Sequence, residues 1–185
     1  MFKKIALASS FVLFASFTSA ALAQDSTLGF QFRVPFQATT SGNVGNVNGQ
    51  STVLSFFLDQ ETEVGILNET VGLRDKTTPA PGAPVTGYDI TALRVAKNLP
   101  VPGPIPVYAG LHLGNMNVMS GGVSIGSGSV ADIFGGVRLL TSKGRTASYL
   151  GAELDYRIAK PSLLGGTNIT NLGGMMLNLS AGLNF

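Results

Sequence analysis

The sequence contains no cysteine, no tryptophan and one histidine. Without cysteine there is no disulfide scaffold and no thiolate metal site, and a lipoprotein anchor, which needs a processed N-terminal cysteine, is excluded. With His112 as the one histidine, any imidazole-dependent chemistry has a single candidate. Charge is also scarce. Only 12% of residues are Asp, Glu, Lys or Arg, about half of the ~25% usual in soluble domains, which is too few to cover a soluble surface comfortably. Yet beyond the first two dozen residues no apolar run approaches the ~20 residues of a membrane-spanning helix.

The chain opens with Met1-Phe2-Lys3-Lys4, an apolar run from Ile5 to Phe17, and the small-residue triplet Ala21-Leu22-Ala23. This is the three-part pattern of a cleaved secretory signal peptide. It divides the chain into a leader, 1–23, and one mature domain, 24–185, of 162 residues (185 less 23). Removing Lys3 and Lys4 lowers Lys plus Arg from 12 to 10, equal to the 10 Asp plus Glu. The basic balance therefore owes much to the leader and gives no reason to expect nucleic acid as a partner.

What the mature chain does have is glycine, 24 of 185 residues, and strict alternation. Successive strand residues face opposite sides, so period two is the strand signal. Five segments show it: Leu28–Gln37, Val107–Gly114, Ala131–Leu140, Tyr149–Ile158 and Met175–Phe185. One face of each carries only apolar or small residues, such as Phe30, Phe32, Leu111, Leu154 and Leu179. The other collects Arg33, His112, Asp132, Arg138, Glu153, Asp155 and Arg157 among glycines. A wall against lipid explains the sorting, because Arg or Lys on such a wall at the bilayer midplane costs ~2–4 kcal/mol.

Three weaker segments, Ser51–Asp59, Glu61–Leu73 and Val85–Ala96, bring the count to eight. In the last, Tyr88 and Ile90 fall on one face and Leu93 and Val95 on the other, so its register stays open. Strands of ~9–11 residues allow eight in this length; ten remain possible and sixteen would leave almost no loops. The expected fold is all-β: an eight-stranded antiparallel up-and-down transmembrane barrel. Its outer loops are placed at Ala38–Gln50, Arg74–Pro84, Asn115–Ser129 and Ala159–Thr170, and its inner turns at Asp59–Glu61, Lys97–Pro106 and Thr141–Arg145. Gly121–Gly128 lacks the Gly-Lys-Ser/Thr ending of a phosphate loop and reads as a flexible surface loop.

The seven ionisable residues form an interior polar cluster in this scheme, with arginines partnering carboxylates. Glu153 and Asp155, on one face, have the ~7 Å spacing of paired catalytic carboxylates, but a barrel interior needs charge-balanced filler in any case. No catalytic, cofactor-binding or metal site is expected, and the chain does not read as an enzyme.

The final residues, Leu177-Asn178-Leu179-Ser180-Ala181-Gly182-Leu183-Asn184-Phe185, resemble the closing strand of bacterial outer-membrane proteins, which ends in an aromatic residue. With the leader and strand count, the whole chain is similar to the small barrels typified by OmpX and the membrane domain of OmpA. The resemblance implies an outer-membrane location, lipid contact, and recognition of the last strand by the barrel-assembly machinery through Phe185, Leu183 and Leu179. It departs from the OmpA pattern in having no peptidoglycan-binding domain after the barrel, so no cell-wall tether is expected. Small barrels include lipid A deacylases with a His-X-Ser-Asn motif. Here His112-Leu113-Gly114-Asn115 lacks the serine. The functional expectation is a structural or surface-interaction barrel with a plugged interior. The alternatives are a narrow passage for small solutes or apolar molecules, and a secreted soluble ligand carrier. The sequence names no partner for the loops.

Overall fold

The computed structural model describes residues 28–40, 43–45, 47–59, 61–73, 85–102, 105–140, 147–163 and 172–185. The leader expected at 1–23, the loop at Arg74–Pro84 and the turn at Thr141–Arg145 lie outside them. The described strands are β1 (Leu28–Thr40), β2 (Asn43–Gly45), β3 (Val47–Phe57), β4 (Thr62–Leu73), β5 (Gly87–Leu99), β6 (Val107–Ser120), β7 (Val123–Leu140), β8 (Ala147–Leu163) and β9 (Gly174–Asn184). Each pairs antiparallel with the next in sequence from β3 to β9, and β1 pairs with both β3 and β9. The sheet is therefore closed. β2 and β3 lie along the same edge of β1, with Ala38 opposite Gly45 and Arg33 opposite Ser51, so together they fill one of eight positions in the ring. Closure leaves no row of unpaired N–H and C=O groups, the condition for a sheet in hydrocarbon.

Several expected loops are corrected. Asn115–Ser129 is not a loop: β6 runs to Ser120 and β7 begins at Val123. Gly121 and Gly122, at φ of 54° and 84°, make the two-residue turn between them, as hairpin turns with two positive φ angles require. Gly128 lies within β7 because a Cβ there would run into the backbone of Lys160 and Pro161 on β8. Its glycine marks a close approach, which looks like loop composition in a sequence. Likewise β8 continues past Ala159 to Leu163, and strands occupy most of Ala38–Gln50.

The register shows how the strands lean. Starting at Leu28 and stepping across the pairs gives Phe56, Val64, Val95, Leu111, Ile133, Tyr156 and Met175, then Thr39 back on β1. The row returns eleven residues (39 less 28) above its start, one of them taken up by the irregularity at Pro35/Gln37. At ~3.3 Å per residue and ~4.8 Å between strands, that offset means strands tilted about 40°, with each row climbing ~3 Å per strand.

The two faces differ in kind. Phe32, Leu111, Leu154 and Leu179 are exposed on the outer wall, while every second residue between them points into the bore. Within the bore, inward aromatics lie over the glycines directly opposite: Phe134 over Gly110, Tyr108 over Gly136, and Tyr149 over Gly182. A Cβ at any of these glycines would collide with the ring, so glycine opposite an aromatic is how eight strands fit large side chains inside. Toward the loop end, away from the termini, the interior becomes apolar. Val53, Leu67, Val71, Ile90, Met116 and Val118 form one buried cluster, into which Val85 and Leu172 also pack. This explains the unreadable register of β5: Tyr88, Ile90 and Ala92 share the inner face with Arg94, while Leu93 and Val95 face out.

Candidate functional site

The bore holds an ionic lattice. Arg33 on β1 places Nη2 at 2.5 Å from Glu153 Oε1 and 2.7 Å from Asp155 Oδ2, both on β8. Arg94 on β5 donates through Nη2 to Glu153 Oε2 at 2.8 Å and through Nε to Glu63 Oε1 at 3.2 Å. Arg138 on β7 takes the other oxygen of Glu63. Arg157 on β8 forks onto Asp132 of β7, with Nε to Oδ1 at 2.9 Å and Nη2 to Oδ2 at 2.8 Å. Its Nη1 lies 2.8 Å from Glu69 Oε1 and donates to Tyr88 Oη at 2.9 Å. Every one of these ionisable side chains is buried. Rings complete the packing: the Arg94 guanidinium stands 4.1 Å from the Phe134 centroid and that of Arg138 stands 4.2 Å from Tyr108.

His112 joins two parts of this lattice. Its Nε2 lies 2.8 Å from Arg94 Nη1 and its Nδ1 lies 3.3 Å from Asp132 Oδ2. A guanidinium has only donors, so Nε2 must present its lone pair and the ring proton sits on Nδ1, facing the carboxylate. His112 is therefore the neutral Nδ1–H tautomer. With it neutral, four arginines (Arg33, Arg94, Arg138, Arg157) face five carboxylates (Glu63, Glu69, Asp132, Glu153, Asp155).

All seven interior residues named from the sequence lie in this lattice: Arg33, His112, Asp132, Arg138, Glu153, Asp155 and Arg157. The sequence reading missed Arg94, Glu63 and Glu69, which sit on β5 and β4. It also missed the phenols of Tyr108 and Tyr88, which bond Glu153 and Arg157. A usable signal for Arg94 was its two-residue spacing from Ala92 and Ala96, small inward neighbours on a strand whose outward positions Leu93 and Val95 are aliphatic. Leu179, Leu183 and Phe185 are exposed on the outer wall, and the Phe185 amide donates to the Leu28 carbonyl at 2.8 Å, tying the last residue to the first strand.

The lattice does not suit a metal ion. His112, Asp132 and Asp155 bring donor atoms together, but Arg94, Arg157 and Arg33 each already bond one atom of these three side chains, His112 Nε2, Asp132 Oδ2 and Asp155 Oδ2. A cation placed there would meet three guanidinium groups. Glu153 and Asp155, the two carboxylates at catalytic spacing, are both engaged by Arg33.

No family model matches the chain, and no curated protein matches it in sequence. Among solved structures it is similar to Neisserial surface protein A (NspA), at 14% identity and a TM-score of 0.53, over 86% of this chain and 95% of that one. It is also similar to the N-terminal β-barrel domain of Pseudomonas aeruginosa OprF, at 18% identity and a TM-score of 0.46, over 88% and 98%. The architecture is that of a small closed eight-stranded barrel, and the likeness to NspA is one of fold.

Proposed function

We propose that the protein is an integral barrel of the bacterial outer membrane, with a structural and surface-interaction role and no enzymatic activity. One observation carries the reading: the bore is filled twice, by the ionic lattice at mid-height and by the apolar cluster at the loop end. A barrel plugged in both ways stiffens the membrane and presents its loops. The aliphatic outer wall argues against the soluble carrier, which needs water-compatible residues there. With the termini on the periplasmic side, the outward loops would meet the extracellular partner. Lipid is the partner of the wall, and the assembly machinery reads the last strand through Phe185, Leu183 and Leu179. Single-channel recording with the purified protein in planar bilayers tests the plug: silence across salts is expected, and discrete conductance steps would overturn it.

A second reading, a thin polar passage, has its own support. Along β1 and β9, the buried side-chain atoms Gln31 Oε1 and Nε2, Arg33 Nε and Nη1, Asn178 Oδ1 and Ser180 Oγ have no protein hydrogen-bond partner. Water needs several such groups to enter. The recording that tests the first reading decides this one with the opposite sign.

A further inference from the structure

The lipid-facing wall is unequal around the barrel. On β8 the outward residues Leu150, Ala152, Leu154, Tyr156 and Ile158 form an apolar column spanning ~20 Å of height, whereas on β4 only Val64 and Ile66 do so, over ~5 Å. The reason is a polar row. Thr52, Asn68, Thr91, Asn115, Ser129 and Lys160 are direct neighbours across the strands from β3 to β8. Because rows climb ~3 Å per strand, the β3 end of this row lies ~15 Å lower than the β8 end. Above it, Gln50, Thr70 and Asp89 continue the polar surface on β3–β5. The result is a wedge of amides and hydroxyls, with the Asp89 carboxylate above them, at a depth where the opposite wall is still aliphatic.

The wedge residues cannot find partners from within. Directly beside them in the same strands, Val53, Leu67 and Ala92 line the apolar part of the bore. One bond is made locally, Thr91 Oγ1 to Asn68 Oδ1 at 3.2 Å, and Asn68, Thr70 and Thr91 remain exposed. Polar groups against acyl chains are costly, and membrane proteins use Asn, Gln and Thr at such depth to hold a neighbouring chain.

We propose that the β3–β4–β5 wall is the interface of a homodimer within the membrane. The inference rests on the membrane-barrel reading. Thr52, Asn68 and Thr91 are neutral and each both donates and accepts, so this row, below Asp89, is complementary to itself across a two-fold axis, the commonest oligomer symmetry. Lipid phosphate is the poorer occupant, since the wedge itself offers no cation among the described residues; Lys160 lies on the far wall, and Lys97, on β5 but near the terminal end, pairs with Glu61. Local thinning of the bilayer to match the wedge would have to remove ~15 Å of a ~30 Å core.

The absence of cysteine makes the test clean. Asn68→Cys and Leu154→Cys, on opposite walls, are reconstituted separately into vesicles at low protein density and oxidised. The dimer predicts a disulfide-linked band for Asn68→Cys about tenfold more abundant than for Leu154→Cys. Equal cross-linking marks random collision and overturns it. So does an uncross-linked Asn68→Cys, whether a water-soluble maleimide modifies it (headgroup and water fill the wedge) or leaves it untouched (a lipid-bathed monomer). A cysteine-free check is Asn68→Leu with Thr91→Val: the mass of the detergent complex should fall from two chains to one while heat-modifiable migration is kept, and a wild-type protein already monomeric overturns the proposal. Loss of heat-modifiable migration in the unmodified protein would instead indict the membrane-barrel reading itself.

Discussion

Arg94 and Glu153, reaching into the bore from β5 and β8, meet in a paired contact of 2.8 and 3.3 Å. Glu153 is also the acceptor for Arg33 and Tyr108, and Arg94 also serves Glu63 and His112. The pair is thus the junction through which β1, β4, β6 and β8 are tied to β5 across the barrel's interior.

Removing one side of that junction leaves uncompensated charge in a buried site. Arg94→Leu should therefore cost about 3–5 kcal/mol, in the range of broken buried ion pairs. The barrel should still close, because its backbone pairing does not depend on the lattice. Urea unfolding in lipid vesicles, followed by heat-modifiable migration, measures this; a loss below ~1 kcal/mol would show the lattice to be loosely held.

The wall makes the converse prediction. Leu154→Arg places a cation on the aliphatic side of β8 and should cost ~2–4 kcal/mol near mid-depth. Asp155→Asn, one residue along and inward, should keep the hydrogen bond to Asn178 and disturb the lattice without touching lipid. Unfolding in thinner and thicker bilayers separates them: the cost of Leu154→Arg should shift with bilayer thickness, and that of Asp155→Asn should not.

His112 accepts from Arg94 and donates to Asp132. Nitrogen NMR of labelled protein should show one protonated ring nitrogen, Nδ1, at neutral pH. His112→Gln retains one acceptor and donors on a single side chain and should be milder than His112→Leu. Equal losses for the two variants would mean that His112 acts by bulk alone.

At the terminal end, Asp59 caps the β3–β4 turn. Its Oδ1 accepts the amides of Glu61 at 2.7 Å and Thr62 at 2.5 Å. Those two bonds, that from Glu61 first, hold its carboxyl below the ordinary aspartate value. A lowered folded value means the stabilisation is full above the ordinary aspartate range and is lost as pH falls through the lowered value. Asp59→Ala should remove that acid-side dependence and leave stability at neutral pH slightly lower, as read from unfolding at a series of pH values.

The strands were legible where one face was charged or glycine-rich and the other aliphatic, as in Leu150–Ile158. Period two there encodes both the strand and its orientation. Legibility failed where both faces turned apolar. Leu67 and Val71 point inward on β4 while Val64 and Ile66 point out, so alternation vanished and Glu63 and Glu69 went unnoticed. It failed again at Gly121–Gly128, where composition suggested a loop but Gly121 and Gly122 make a tight turn and backbone crowding demands glycine at Gly128 within a strand. The pairings in the lattice, such as Arg33 with Glu153, depend on strand stagger. Sequence carries no local signal for that.

The account turns on which way the side chains of β8 face. Nitroxide labels placed one at a time from 150 to 158 report this through their exposure to oxygen, which concentrates among acyl chains. Oxygen exposure should peak at 150, 152, 154, 156 and 158 and collapse at 151, 153, 155 and 157. The same period with its peaks at 153, 155 and 157, or a water-soluble relaxation agent reaching 154 and 156 freely, would contradict it.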